Sequence, residues 1–226
     1  MKSTLTTLAE QCVDLKNSMA AKIPEEVRRA MQEQDERLVC SGIVDRCLKE
    51  GDLAPDFELP DGAGDHVQLS DLLAKGPVVL SFYRGGWCPY CSVELLAWRA
   101  SLSALHELGA ELVAISPETP NHSAMTQDEK QLDFPVLSDR GNTVARQFGL
   151  VFTLSEAIRP IYEGFGIDLP SANGERGVLR LLDKQAGRLT LQHLGRSARD
   201  RQLREATVRK PHGILRVTGP TGSGKT

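Results

Sequence analysis

The chain has 226 residues, 40% hydrophobic and 25% charged, which suits one α/β domain of about 150–200 residues with extensions. Aromatics are 5%, cysteines number five and the formal net charge is −3. No apolar run approaches the roughly 20 residues that cross a bilayer, nothing resembles a secretory leader, and five cysteines make no disulfide framework, so a cytoplasmic protein is expected.

The charge is unevenly spread. Residues 1–173 carry 15 Lys and Arg against 26 Asp and Glu, whereas residues 174–226 carry 12 against 4. The basic segment has no Phe, Tyr or Trp to stack on bases, so its charge reads as a solvated face on a joined segment, without nucleic acid as a partner.

Leu5, Leu8, Cys12, Leu15 and Met19 recur at helical spacing. Pro24 opens a second helix with Glu25 and Glu26 in its first turn, and Ser41-Gly42 interrupts it. Residues 1–50 are thus a helical extension. Ala54-Pro55-Asp56-Phe57-Glu58-Leu59 reads as a strand, Asp61-Gly62 as its turn and Val67-Gln68-Leu69 as the hairpin partner. Ser70 is expected to cap a short helix. Val78-Val79-Leu80-Ser81-Phe82-Tyr83 has the near-continuous apolar character of a strand buried on both faces. The helix after it buries Cys91, Leu95, Trp98, Leu102 and Leu105 and stops at Gly109. A strand at Leu112-Val113-Ala114-Ile115, a helix about 123–130, a strand at Phe134-Pro135-Val136-Leu137 and a helix 142–148 complete an alternating pattern, which predicts a parallel α/β sheet.

The chemistry sits in Arg84-Gly85-Gly86-Trp87-Cys88-Pro89-Tyr90-Cys91, between the buried strand and the helix. Pro89 suits the first helical turn, leaving free N–H groups and the positive dipole end facing the sulfurs. Such a place lowers a thiol from about 8.5 to roughly 3.5–7.5. Arg84 and Arg99 are candidate cations, and three-residue spacing brings both sulfurs within reach of a disulfide. A structural pair or half a zinc site is the plainer reading, but no histidine pair supplies the missing ligands; no metal and no cofactor are expected. Cys12, Cys40 and Cys47 read as core on helical apolar faces, Gly85 and Gly86 as turn residues, Tyr83, Trp87 and Trp98 as core or rim. Glu94 is expected to be exposed, with a capping or proton-relay role as the alternative.

Ala54-Pro55-Asp56-Phe57, the 82–91 segment, Ile115-Ser116-Pro117, Phe134-Pro135-Val136-Leu137-Ser138-Asp139 and Gly164-Phe165-Gly166-Ile167-Asp168-Leu169-Pro170 together resemble the peroxiredoxin-like (alkyl hydroperoxide reductase/thiol-specific antioxidant) family. The resemblance spans about residues 5–173. It implies a thioredoxin-like, peroxiredoxin-type central sheet flanked by helices over 51–173, and reduction of hydrogen peroxide or organic hydroperoxides at the expense of thiols. Thioredoxin or glutathione would be the reductant, and a homodimer the assembly. Two registers are open. The family's Pro-x-x-x-Thr/Ser-x-x-Cys pattern makes Cys91 the attacking cysteine, with Cys88 at the Thr/Ser position and Arg84 at the proline. The Trp-Cys-x-x-Cys pattern of thioredoxins makes Cys88 the exposed nucleophile and Cys91 the resolving thiol. That second pattern carries an alternative function, disulfide reduction. Trp87 and Pro89 support the site in either register.

Residues 174–226 resemble the type II secretion/type IV pilus ATPase family as far as its phosphate loop. Gly219-Pro220-Thr221-Gly222-Ser223-Gly224-Lys225-Thr226 is a complete G-x-x-x-x-G-K-[ST], preceded by the strand-like Ile214-Leu215-Arg216-Val217. A phosphate would rest on Gly219, Gly224, Lys225 and Thr226. The motif lacks a following helix here, so an ATPase fragment cut short is expected, without hydrolysis. An ATP-binding secretion-motor fragment and an inactive fusion product are the competing readings. Arg176-Gly177 resembles the Arg-Gly ahead of a peroxiredoxin strand, and residues 178–182 and 188–193 could form a hairpin that fills the sheet edge through the turn 183–187.

Overall fold

The computed structural model describes residues 7–173 and the backbone of residues 178–180 and 214–217. Arg176, Gly219, Gly224, Lys225, Thr226 and the expected 188–193 strand lie outside the described residues.

The N-terminal extension is helical. Helix α1 (Leu8–Ala20) starts with a reciprocal cap: Thr7 Oγ1 accepts the Glu10 amide at 3.2 Å while Glu10 accepts the Thr7 amide at 2.6 Å. Helix α2 (Glu25–Cys40) begins after Pro24, and Gly42, at φ +67°, breaks it from α3 (Ile43–Arg46). Cys12 is buried and so is Cys47, whose thiol donates to the carbonyls of Ile43 and Gly149. Cys40 is exposed, on a helix that buries none of its residues among the described part of the chain.

The N-terminal hairpin is shorter than expected: β1 (Glu58–Pro60) pairs antiparallel with β2 (His66–Gln68). Ser70 does not cap α4 (Leu69–Leu73) but lies inside it. Asp56 takes the capping role from a distance, accepting the Ser70 amide at 3.0 Å.

The central sheet has the order β5-β4-β3-β8, with all neighbours parallel. Its strands are β3 (Val78–Phe82), β4 (Glu111–Ser116), β5 (Val136–Ser138) and β8 (Ile214–Val217). Every residue of β3 is buried, as its composition demands. Alternate residues serve two cores. Leu80 and Phe82 face Leu69, Ile115, Phe148 and Leu150, with the Phe82 and Phe148 rings 4.9 Å apart. Val79 faces Leu95, Trp98, Leu102 and Leu105 of α5 (Pro89–Glu107). Helix α6 (Pro120–Lys130) follows β4, and α7 (Thr143–Gln147) follows β5. Strand β6 (Val151–Thr153), helices α8 (Arg159–Gly164) and α9 (Leu169–Asn173), and β7 (Val178–Arg180) come next. Strand β7 pairs antiparallel with β6, so the tail's first strand does not lie on the central sheet. The strand that lines the second edge of β3 is β8, with Val78 opposite Ile214 and Ser81 opposite Val217. Short apolar runs mark strands without saying which edge they join.

Without β8, that edge of β3 would present unpaired N–H and C=O groups, a template for association. A chain ending at residue 213 is expected to self-associate by size-exclusion chromatography and to melt at a lower temperature. An unchanged monomer with an unchanged melting point would show that the ladder contributes nothing.

A parallel sheet brings the C-terminal ends of its strands to one edge, where ligand and catalytic loops gather. The segments after β3, β4 and β5 therefore converge. Among the described residues no helix is long and apolar enough to cross a membrane.

Candidate active site

Strand β3 delivers Tyr83 and Arg84 to that edge, and the chain turns through Gly85-Gly86-Trp87 into α5. The turn closes with the Cys88 amide donating to the Gly85 carbonyl at 3.1 Å. Gly85 sits at φ +150°, and a Cβ there would run into the Trp87 indole, so the ring rests directly on its backbone. Cys88 is the N-cap residue of α5, Pro89 occupies the first turn, and Cys91 follows one turn in. Both sulfurs are free thiols, and both residues are buried.

Arg84 organises the site. Its Nη2 donates to Cys88 Sγ at 2.9 Å, its Nη1 donates to the Tyr162 hydroxyl at 3.2 Å, and its amide donates to Cys91 Sγ at 3.4 Å. The guanidinium carbon lies 5.5 Å from the Trp87 ring centre, within cation–π range. Trp87 meets Tyr162 edge-on at 5.9 Å. Arg84 Nε and Trp87 Nε1 are buried donors without a hydrogen-bond partner among the described residues.

Burial alone would raise the Cys88 thiol. A hydrogen bond from the Cys91 thiol and the Arg84 charge outweigh it and bring Cys88 down to about 5. Cys91 moves the other way, well above the ordinary thiol range, because it donates to Cys88 and is itself buried beside that charge. Burial would also weaken the charge on Arg84, but the adjacent Cys88 holds the guanidinium firmly protonated. The pair therefore divides into one thiolate and one thiol.

The AhpC/TSA family model matches residues 51–168, more than half of the chain. The chain belongs to the AhpC/TSA family. A putative peroxiredoxin of Mycobacterium tuberculosis is 39% identical over 114 residues, covering 50% of this chain and 74% of that protein. A crystal structure of a peroxidoxin from the same organism is 40% identical, with a TM-score of 0.46, over 47% of this chain and 70% of that one. Residues 167–226 match the family model of the type II/IV secretion system protein. Over 58 residues they are 84% identical to type II secretion system protein E of Pseudomonas aeruginosa, which is 26% of this chain but 12% of that protein. The two family matches meet at residues 167–168, a few residues before the change in charge at 174.

Within this AhpC/TSA domain the structure brings Arg84, Trp87, Cys88, Pro89 and Cys91 together and sets Arg99 apart. Arg99 donates to the Lys130 carbonyl at the end of α6 at 2.6 Å, and among the described residues it makes no contact with either sulfur. Glu94 is buried rather than exposed: one turn beyond Cys91 it meets Ser81, whose hydroxyl donates to it at 3.3 Å. Its charge helps to raise both Cys91 and Cys12. Tyr162 has no local sequence signal, because it arrives from α8. It packs with Leu154, Ile158 and Leu169, and Ala30 and Met31 of α2 lie against the same cluster, so the N-terminal extension helps to roof the site. Glu118, two residues past the end of β4, carries no sequence signal either.

Proposed function

We propose that the chain is a thiol peroxidase in which Cys88 attacks hydrogen peroxide or an organic hydroperoxide and Cys91 resolves the product. The observation that carries this reading is the 2.9 Å contact between Arg84 Nη2 and Cys88 Sγ, with the Cys91 thiol donating to the same sulfur. The family's sequence register favours Cys91 as the attacking residue. The electrostatics favour Cys88, because attack requires the thiolate and Cys91 is held protonated.

In the first step the Cys88 thiolate attacks the distal peroxide oxygen, so that an S–O bond forms as the O–O bond breaks. A sulfenic acid forms on Cys88, and the departing alkoxide or hydroxide takes a proton from solvent to leave as alcohol or water. Arg84 Nε and Trp87 Nε1 are available to donate to the peroxide oxygens. The Cys91 sulfur then attacks the sulfenic sulfur, water departs and the Cys88–Cys91 disulfide forms. Two electrons from thioredoxin, or from two molecules of glutathione, restore both thiols.

Burial separates this reading from a thioredoxin-type disulfide reductase. That activity begins with the reduced nucleophile meeting a folded protein, whereas reduced Cys88 has no exposed surface; thioredoxin, by contrast, meets this chain only after the Cys88–Cys91 disulfide has formed. A peroxide is small enough to pass with little displacement of the roof. Purified protein is expected to consume peroxide with thioredoxin or glutathione present and to reduce insulin slowly or not at all. The rate should rise with pH through about 5 and level off above about 6, following the thiolate. Rapid insulin reduction without peroxide turnover would reverse the assignment.

A further inference from the structure

Glu118 is a buried carboxylate outside the sulfur chemistry, placed between the end of β4 and the Thr119 cap of α6. A buried carboxylate persists only when its oxygens are well supplied with donors. Glu118 Oε1 accepts the Gly86 amide at 2.9 Å. Its Oε2 receives the hydroxyls of Tyr83 at 3.1 Å, Thr126 at 3.3 Å and Ser116 at 3.5 Å. The residue is itself held: its amide donates to Ser116 Oγ, and Ser138 donates to its carbonyl.

The sequence positions of these donors give the arrangement its meaning. Tyr83 immediately precedes Arg84, and Gly86 closely follows it, so one side chain pins both flanks of the Arg84-Gly85 pair. Arg84 is the group whose guanidinium meets Cys88. The fit on the far side is close as well: a Cβ on Gly86 would collide with the Thr126 hydroxyl, which is itself a Glu118 donor. Hydroxyls can turn to other acceptors, but the Gly86 amide points where the backbone fixes it.

We propose that Glu118 is a positioning residue of the redox centre, clasping Tyr83 and Gly86 so that Arg84 stays in contact with Cys88. The inference rests on the peroxidase reading for its chemical purpose, but its geometry concerns the loop alone. Truncation frees both flanks and lets the guanidinium drift from the sulfur. An amide in place of the carboxylate keeps an acceptor for Gly86, while the three hydroxyls reorient around its NH2 group.

The test is the pH titration of Cys88 in full-length protein, by ultraviolet thiolate absorbance and by iodoacetamide labelling of the Cys88 peptide in a mass spectrometer. For Glu118→Ala the midpoint is expected to rise from about 5 by about one pH unit, which slows labelling at pH 5 about fivefold. Glu118→Gln is expected to retain the parent midpoint, a rescue that a role limited to stability would not give. Should Glu118→Ala fail to fold, Glu118→Asp serves, since a carboxylate one methylene shorter cannot reach Gly86 and Tyr83 together. It should show the same upward movement. Folded Ala or Asp variants with the parent midpoint would overturn the inference and leave the peroxidase reading intact. A low midpoint that rises in these variants, in a protein that turns over no peroxide, would support the clasp and sink the peroxidase reading.

Discussion

Cys88→Ser is expected to lower peroxide consumption by roughly a thousandfold or more, since a serine hydroxyl in the same place is no nucleophile at neutral pH. Cys91→Ser should behave differently. Its Cys88 thiolate still sits against Arg84, so it should consume one equivalent of peroxide per chain and then stop, leaving Cys88 as sulfenic acid. A sulfenic-acid trap such as dimedone, followed by peptide mapping, distinguishes the two variants. Dimedone on Cys91 in the Cys88→Ser protein, with turnover retained, would exchange the two roles and favour the family's own register. Cys91→Ala, which removes the donor that serine would keep, should also raise the Cys88 midpoint, because that bond is among the largest influences lowering it.

Arg84→Met carries the second large effect. Methionine fills much of the same volume but removes the charge and the donor to Cys88. The thiol then rises from about 5 toward or beyond its ordinary 8.5, so at pH 7 the thiolate fraction falls roughly thirtyfold. Labelling and peroxide consumption should fall together, and the flat profile above about pH 6 should become one that climbs into the alkaline range. Arg84→Lys should fall between, since an ammonium supplies charge without the fork that spans Cys88 and Tyr162. The same shift has a sign for stability. Folded Cys88 binds fewer protons than unfolded Cys88 between about pH 5 and the ordinary thiol range, so its contribution to reduced-state stability grows with pH there. That contribution is lost as pH falls through about 5. An Arg84→Met protein that kept the parent pH profile would show that the guanidinium does not govern the sulfur.

Local pattern accounts for much of the centre. Strand β3 announces itself because both of its faces are buried, leaving Ser81 as the single polar residue in the apolar run. The Cys91, Leu95, Trp98, Leu102 and Leu105 stripe is legible because all five share one helical face, and Pro89 marks where that helix starts. Tyr162 and Glu118 were not legible as site residues, since each reaches the loop from a distant element and only tertiary packing puts it there. Glu94 misled for a related reason: a glutamate on a helix is ordinarily solvated, and only the packing of α5 on β3 brings it against Ser81. The strand 178–180 was apparent in the residue types, but its pairing with β6 was not.

The ladder between β3 and β8 has a bearing on how the molecule is made. Ribosomes release the chain from its amino end, so the Arg84–Cys91 loop and its flanking strand and helix emerge well before residues 214–217 do. During that interval β3 has β4 on one side and nothing permanent on the other. Joining ends so far apart is entropically slow, and a half-finished sheet is the kind of species that clumps or recruits chaperones. The secretion-protein-like segment thus acts on the redox domain first as a late-arriving closure, whatever its relatives do elsewhere.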